Sequence, residues 1–301
     1  DGSTDGSVDY LHSMKDPRIR LVSQPNRGLT STLNRMLKES RTPWLMRLDA
    51  DDVCYPQRVE RTVDYIRRFP SAGMFYSRAS HYQDGKTRGL LKNTEGSPEQ
   101  LSTLAASGYL FSICHSTVTL STQKVLAEGG YRFDLYVEDL DLWWRMALRH
   151  EIVLIPETLV GYRINQNSIC SSKSTELATN TLFVQYLLLS HLWGKEPLPY
   201  EVAREQLSRL VDERYAKYQA FMRNGAIALG SRHYFAAARH LLMAAFRTPG
   251  FFVNRLLYGF KKFDILKRGR SPELFHAHAD LLWPKRGQTE SVCVSESSIG
   301  R

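Results

Sequence analysis

Three aspartates stand within four residues at Asp49-Ala50-Asp51-Asp52. Such a cluster repels itself unless a cation or hydrogen-bond donors intervene. A hard divalent ion, Mg2+ or Mn2+, takes oxygen ligands and usually keeps waters and substrate phosphates as the others. Asp49 and Asp51, two apart, would point the same way in extended backbone. Taken alone, D-x-D is a weak signal, and a solvated acidic turn or the N-cap of the next helix is the plainer reading. A second acidic group, Glu138-Asp139-Leu140-Asp141, opens an amphipathic stretch. Carboxylates there stabilise a helix start, or one of them serves as general base for an acceptor hydroxyl. The helix end would depress such a pKa, whereas burial beside Trp143 and Trp144 would raise it. The opening run, Asp1-Gly2-Ser3-Thr4-Asp5-Gly6-Ser7, is a turn rich in glycine and hydroxyls. It either caps the helical stretch near Val8–Met14 or offers backbone N–H groups to an anionic ligand.

These residues need a frame to hold them. Ile19–Ser23, Trp44–Leu48, Gly73–Ser77, Ile152–Ile155 and Leu159–Arg163 read as strands. They alternate with helical patterns at Leu29–Glu39, Pro56–Phe69, Pro98–Ala106, Thr122–Glu128 and Asp139–Arg149, which predicts an α/β fold. Asp49–Asp52 then falls at the carboxyl end of a strand, where such sheets place their chemistry. Asp84-Gly85 marks a hairpin turn. After Ser168 only helical periodicity is found, in about Thr175–Trp193, Pro199–Asn224 and Ser231–Phe246. From about Gly269 the chain turns polar and reads as a mobile tail.

The 301 residues include 43% apolar and 24% charged side chains, an ordinary globular balance. No apolar run reaches the roughly 18 residues that a spanning helix needs, and no leader pattern opens the chain. Cys54, Cys114, Cys170 and Cys293 are isolated, so reduced thiols of a cytoplasmic protein are expected. The formal charge of +9 suits polyanionic partners without choosing among them. Pro249–Phe263 mixes Phe251, Phe252, Leu256 and Phe260 with Arg255, Lys261 and Lys262. It reads as a last packed helix with a basic face, or as an interfacial helix touching anionic lipid. His276-Ala277-His278-Ala279-Asp280 looks like a metal site but has no companion ligands.

Three features occur in one order: a D-G-S-T-D-G-S turn, L-D-A-D-D, and E-D-L-D-L-W. With them come Asn26-Arg27-Gly28-Leu29-Thr30 ahead of Asn34, and Pro56-Gln57-Arg58. Together, over about residues 1 to 168, they resemble the family 2 glycosyltransferases, whose nucleotide-sugar domain has the GT-A fold. The resemblance implies a Rossmann-like mixed sheet over residues 1–170, to which periodicity and composition add a helical region over 171–268 and a mobile tail over 269–301. It also implies that the family's first strand is missing ahead of Asp1. Asp1 resembles the turn aspartate beside the nucleotide base. Asp49 and Asp51 resemble the D-x-D that meets ribose and the diphosphate-bound Mg2+ or Mn2+, with Asp51 the main metal ligand. Arg27 and Asn34 fall in the segment lining the nucleotide pocket. Asp139 resembles the catalytic base with Glu138 beside it, and Arg145 is assigned to phosphates or acceptor. His115-Ser116 resembles the start of an H-P-S strand. Asn165 stands where relatives often have a histidine.

The implied activity is inverting transfer of a sugar from a nucleotide-diphosphate sugar to a glycan or lipid-linked acceptor, in bacterial surface-polysaccharide assembly. It would take place in the cytoplasm or at the membrane's inner face. No Q-x-x-R-W occurs, which favours single additions over polymerisation. A sugar nucleotidyltransferase, an inactive truncated remnant and a basic nucleic-acid-binding protein are the rivals. No nucleic-acid motif supports the last, and carboxylates stand where phosphate would lie.

Overall fold

A computed structural model describes residues 1–83, 85–163, 174–230, 233–250, 267–268 and 270–284. Helix α1 (Ser7–Ser13) and α2 (Leu29–Glu39) precede strands β1 (Trp44–Met46) and β2 (Val53–Cys54). Then come α3 (Arg58–Arg68), β3 (Met74–Gln83), β4 (Lys86–Leu90), α4 (Pro98–Ala106) and β5 (Leu110–Phe111). A single 3-10 turn (His115–Thr117) leads into β6 (Val118–Ser121) and α5 (Thr122–Ala127), followed by α6 (Glu138–Arg149) and β7 (Ile152–Arg163). Helices α7 (Ser174–Leu192), α8 (Tyr200–Arg209), α9 (Glu213–Gly230) and α10 (Tyr234–Arg247) follow, then β8 (Lys267–Arg268), α11 (Pro272–Ala277) and α12 (Ala279–Leu282).

The strands form a mixed α/β sheet in the order β1-β6-β3-β7-β2, with β4 on β3. Only β3 and β7 run parallel within it; the other pairs are antiparallel. Side chains of β3 divide by the period of two: Met74 and Tyr76 enter the large core with α4, α6 and α7, and Phe75 enters a smaller one. The smaller core also takes Val153, Ile155 and Leu159 from β7 and is backed by Tyr65, Ile66 and Phe69 around α3. A sheet covered on both faces has near-continuous apolar strands, which is why these segments read as strands.

Several expectations change in detail. Ile152–Ile155 and Leu159–Arg163 are one strand, because a bulge absorbs Pro156: Ser77 opposes Ile155 and Arg78 opposes Thr158. Ile19–Ser23 joins no ladder and stays irregular. Pro199–Asn224 breaks into α8 and α9.

The mobile tail expected from residue 269 does not hold for residues 270–284. Phe275 and Leu282 are fully buried in the large core. The buried Gln185 amide donates to Gly108 O (2.9 Å) and Arg270 O (2.7 Å) and accepts from Arg270 N (2.8 Å). Tyr186 Oη donates to Leu282 O at 2.6 Å, and His276 stacks on Trp193, ring centroids 3.9 Å apart. Low periodicity hid this segment because two short helices give few turns over which a pattern could repeat. Asn165 and the run Phe251–Phe263 lie outside the described residues.

Candidate active site

The acidic loop joins β1 to β2, and a network of bonds fixes its shape. Ser116 Oγ accepts from Asp49 N (3.0 Å) and donates to Asp49 Oδ2 (2.8 Å). Arg47 ion-pairs with Asp49 Oδ1. At the far end of the loop, Arg163 N donates to Asp52 Oδ1 at 2.8 Å and Arg163 Nε to Asp51 O at 2.5 Å. The end of β7 therefore clamps the loop whose start is clamped by the 3-10 turn before β6. Asp51 is exposed. Asp52 Oδ2 is buried without a hydrogen-bond partner. Burial pushes the Asp52 carboxyl above its usual range, and the neighbouring Asp51 and Asp49 push the same way.

The second acidic cluster meets the same region. Glu138 begins α6 and is only 5% exposed, with Oε2 buried and unpartnered. Burial, then the charge of Asp139, pushes its carboxyl up to about 8. His115 Nδ1 lies 3.9 Å from Glu138 Oε1, and its Nε2 shares a 2.7 Å hydrogen bond with Tyr131 Oη. Burial, then Arg47, pulls the imidazole down to about 3, so it is neutral. Cys114 is pushed up to about 12 by burial, then by Asp52, with Asp49 and Asp139 adding to it. That one thiol feels Asp49, Asp52 and Asp139 brings the two acidic clusters into the neighbourhood of Cys114–His115. At neutral pH the arrangement holds a neutral Glu138 beside a neutral His115.

Of the residues singled out from sequence, Asp49, Asp51, Glu138 and Asp139 are gathered here. Asp139 Oδ1 accepts from Leu140 N at 2.8 Å, at the start of α6. Asp1 lies at the neighbouring surface loop, where its Oδ1 accepts from Gln24 Nε2 (2.8 Å) and Arg27 N (2.9 Å). The Arg27 side chain is exposed there.

Two assignments need correction. Asn34 was expected to line the nucleotide pocket, but its amide is spent on the backbone of Tyr131: Nδ2 donates to Tyr131 O (2.7 Å) and Oδ1 accepts from Tyr131 N (2.9 Å). Arg145 was expected at phosphates or acceptor, but it is buried. Its guanidinium donates to Asp141 Oδ2 (3.0 and 2.7 Å), Gly130 O (2.7 Å) and Glu128 O. Asn34 holds the start of the loop of residues 131–137, and Arg145 ties the Glu128–Gly130 turn before it to Asp141, rather than facing a ligand. Thr30 Oγ1, donating to Phe133 O (2.8 Å), and Asn180 Nδ2, donating to Leu135 O (2.8 Å), secure the same loop. Gly28 passes close beneath it: a Cβ there would come within 2.2 Å of Asp134 Oδ2.

Sequence reasoning missed Arg47, Cys114, Tyr131 and the clamping role of Arg163. An arginine two residues before the first aspartate was the available signal for Arg47; Tyr131 and Cys114 carried none.

The donors suit a hard cation. All are carboxylate oxygens, and the orphaned Asp52 Oδ2 is the kind of buried atom that a positive charge would satisfy. Among the described residues no three acidic, histidine or cysteine side chains are already gathered as a metal cage.

A carboxylate loop after a strand stands where α/β sheets bind their ligands. Residues 1–130 match the model described as glycosyl transferase family 2. Helix α6 begins at Glu138, beyond the matched segment. The amylovoran biosynthesis glycosyltransferase AmsE of Erwinia amylovora is 28% identical over 155 residues, 51% of this chain and 57% of that protein. The putative glycosyltransferase EpsE of Bacillus subtilis is 28% identical over 153 residues, 48% of this chain and 53% of that protein. The chain thus spans a little over half the length of these curated relatives. Among solved structures, S. aureus TarS 1–349 in complex with UDP-GlcNAc aligns with a TM-score of 0.48 at 13% identity, covering 88% of this chain and 83% of that one.

Proposed function

We propose that the chain is a metal-dependent, inverting glycosyltransferase that moves a sugar from a nucleotide-diphosphate sugar onto a hydroxyl. The observation that carries this reading is the meeting of the Asp49–Asp52 loop and the Glu138–Asp139 helix start around Cys114 and His115. Asp51, with Asp49, would hold Mg2+ or Mn2+. The bound ion would offset the negative charge gathering on a departing diphosphate. Asp1 and Arg27, on the adjoining loop, receive the nucleotide. Asn34 and Arg145 support the pocket from behind.

Asp139 takes the proton from the acceptor hydroxyl as that oxygen attacks the anomeric carbon from the face opposite the leaving group. One displacement inverts the configuration. Glu138, kept protonated by burial, donates a hydrogen bond rather than adding a second negative charge near the diphosphate. The acceptor is a glycan or a lipid-linked sugar of bacterial surface polysaccharide, and the protein acts in the cytoplasm. The names of AmsE and of the other relatives support that assignment. Among the described residues no helix is long and apolar enough to cross a membrane.

The test is Asp139→Asn, assayed with a panel of nucleotide sugars and Mn2+. Transfer is expected to fall at least about 100-fold, the usual contribution of a general base, while thermal stabilisation by the nucleotide persists. Wild-type turnover in Asp139→Asn would refute the assignment.

A further inference from the structure

Helix α10 is packed inside out. The residues it turns inward are small: Ala237 and Ala244 are buried, with Thr248 just beyond the helix end. Small side chains let two helices approach closely, and α10 lies along α9, with Gly225 of α9 against His240 and Leu241. The large apolar residues face outward. Phe235 is 87% exposed, Leu242 69% and Phe246 91%. At spacings of seven and four they fall on one helical stripe. Arg239 stands on that stripe between Phe235 and Leu242, and Arg247 follows Phe246; both are exposed. A shallow cleft of about 540 Å3 is lined by Arg239, Leu242, Met243 and Phe246 among others.

A surface that leaves two phenylalanines and a leucine in water is marked for contact. Charge says with what. Residues 213–250 contain six Lys or Arg and a single acidic residue, Glu213. Helix α10 itself carries no carboxylate to pair with Arg239 and Arg247. Aromatic and leucine side chains interleaved with Arg239 on one face, with Arg247 at its edge, suit an anionic bilayer surface, where rings enter the headgroup boundary and guanidinium groups meet lipid phosphates.

We infer that the outward face of α10, through Phe235, Arg239, Leu242, Phe246 and Arg247, docks the protein on anionic membrane. This does not depend on the catalytic reading. The face lies on Tyr234–Arg247, a different stretch of sequence from Phe251–Phe263, so it can be tested by itself.

The experiment is flotation of the full chain with vesicles of phosphatidylcholine alone or with phosphatidylglycerol added. Binding is expected only with the anionic vesicles, and it should weaken as salt rises. Phe235→Ser combined with Phe246→Ser should lower the vesicle-bound fraction at least tenfold without moving the melting temperature, since both side chains are exposed. Arg239→Gln with Arg247→Gln should remove the preference for the anionic lipid. Equal flotation of the phenylalanine double variant and the parent would overturn the inference. So would absence of flotation on anionic vesicles. A parent dimer that becomes monomeric in the double variant, with no vesicle binding, would assign the face to a second copy of the chain instead.

Discussion

Glu138 and His115 make the stability of this protein depend on pH in a way that can be worked out in advance. The Glu138 carboxyl stands at about 8 in the folded chain against an ordinary 4.5. A raised folded value means the folded state holds the proton more tightly, so this contribution is complete below pH 4.5 and is lost as pH rises toward 8. His115 runs the other way, from an ordinary 6.5 down to about 3. Its contribution is complete above pH 6.5 and is lost on acidification. Between pH 4.5 and 6.5 the two slopes cancel. Above 6.5 only Glu138 still changes, and the 1.5 units up to pH 8 cost about 1.5–2 kcal/mol at 1.36 kcal/mol per unit. For a chain of this size that lowers the melting temperature by about 3–8 °C. Glu138→Gln keeps the shape of the neutral acid and has no proton to lose. Circular-dichroism melts at pH 6.5 and pH 8 should therefore show the drop in the parent and its absence in Glu138→Gln. An equal drop in both proteins would show that Glu138 is not the buried titrating group.

Arg145→Met strands the fully buried Asp141 beside Arg132 alone; unfolding should become easier by about 3–5 kcal/mol, read by urea denaturation, and an unchanged midpoint would contradict a supporting role. Thiol mapping by mass spectrometry should find Cys54, which is exposed, alkylated well before Cys114, whose thiol burial holds near 12. Reversal of that order in the folded protein would mean that the Cys114 region opens to solvent.

Much of the frame was legible from sequence. Gly73–Ser77, Ile152–Ile155 and Leu159–Arg163 announced themselves as strand segments because burial on both faces demands apolar residues, and Asp84-Gly85 marked a hairpin whose glycine takes a left-handed φ of 72°. Asp49, Asp51, Glu138 and Asp139 stood out as candidates because they cluster at an expected strand end and helix start, where an acidic turn or a stabilised helix end would carry the same residues. Asn34 and Arg145 misled for a physical reason: an amide or guanidinium looks the same in sequence whether it meets a ligand or a backbone carbonyl. That difference is set by which loop folds over it, here residues 128–137. Tyr131 and Cys114 were silent since an isolated tyrosine or cysteine has no periodicity, and their importance comes from segments far away in the chain. The docking of residues 270–284 was equally hidden, because one buried glutamine on α7 supplies much of its polar anchoring.

That docking also affects the order in which the chain can finish folding. Leu110 pairs with Arg268, and Gly108 O waits for the same Gln185 amide that binds Arg270. During synthesis at about 5–20 residues per second, the edge near Gly108 stays uncovered for on the order of ten seconds before its partner emerges. Over that interval the flank of α4 and the far side of α7 present apolar surface to whatever surrounds the nascent chain. A shortened version ending before residue 270 would keep that surface permanently and would be expected to aggregate, whereas one ending after Pro284 retains the seal.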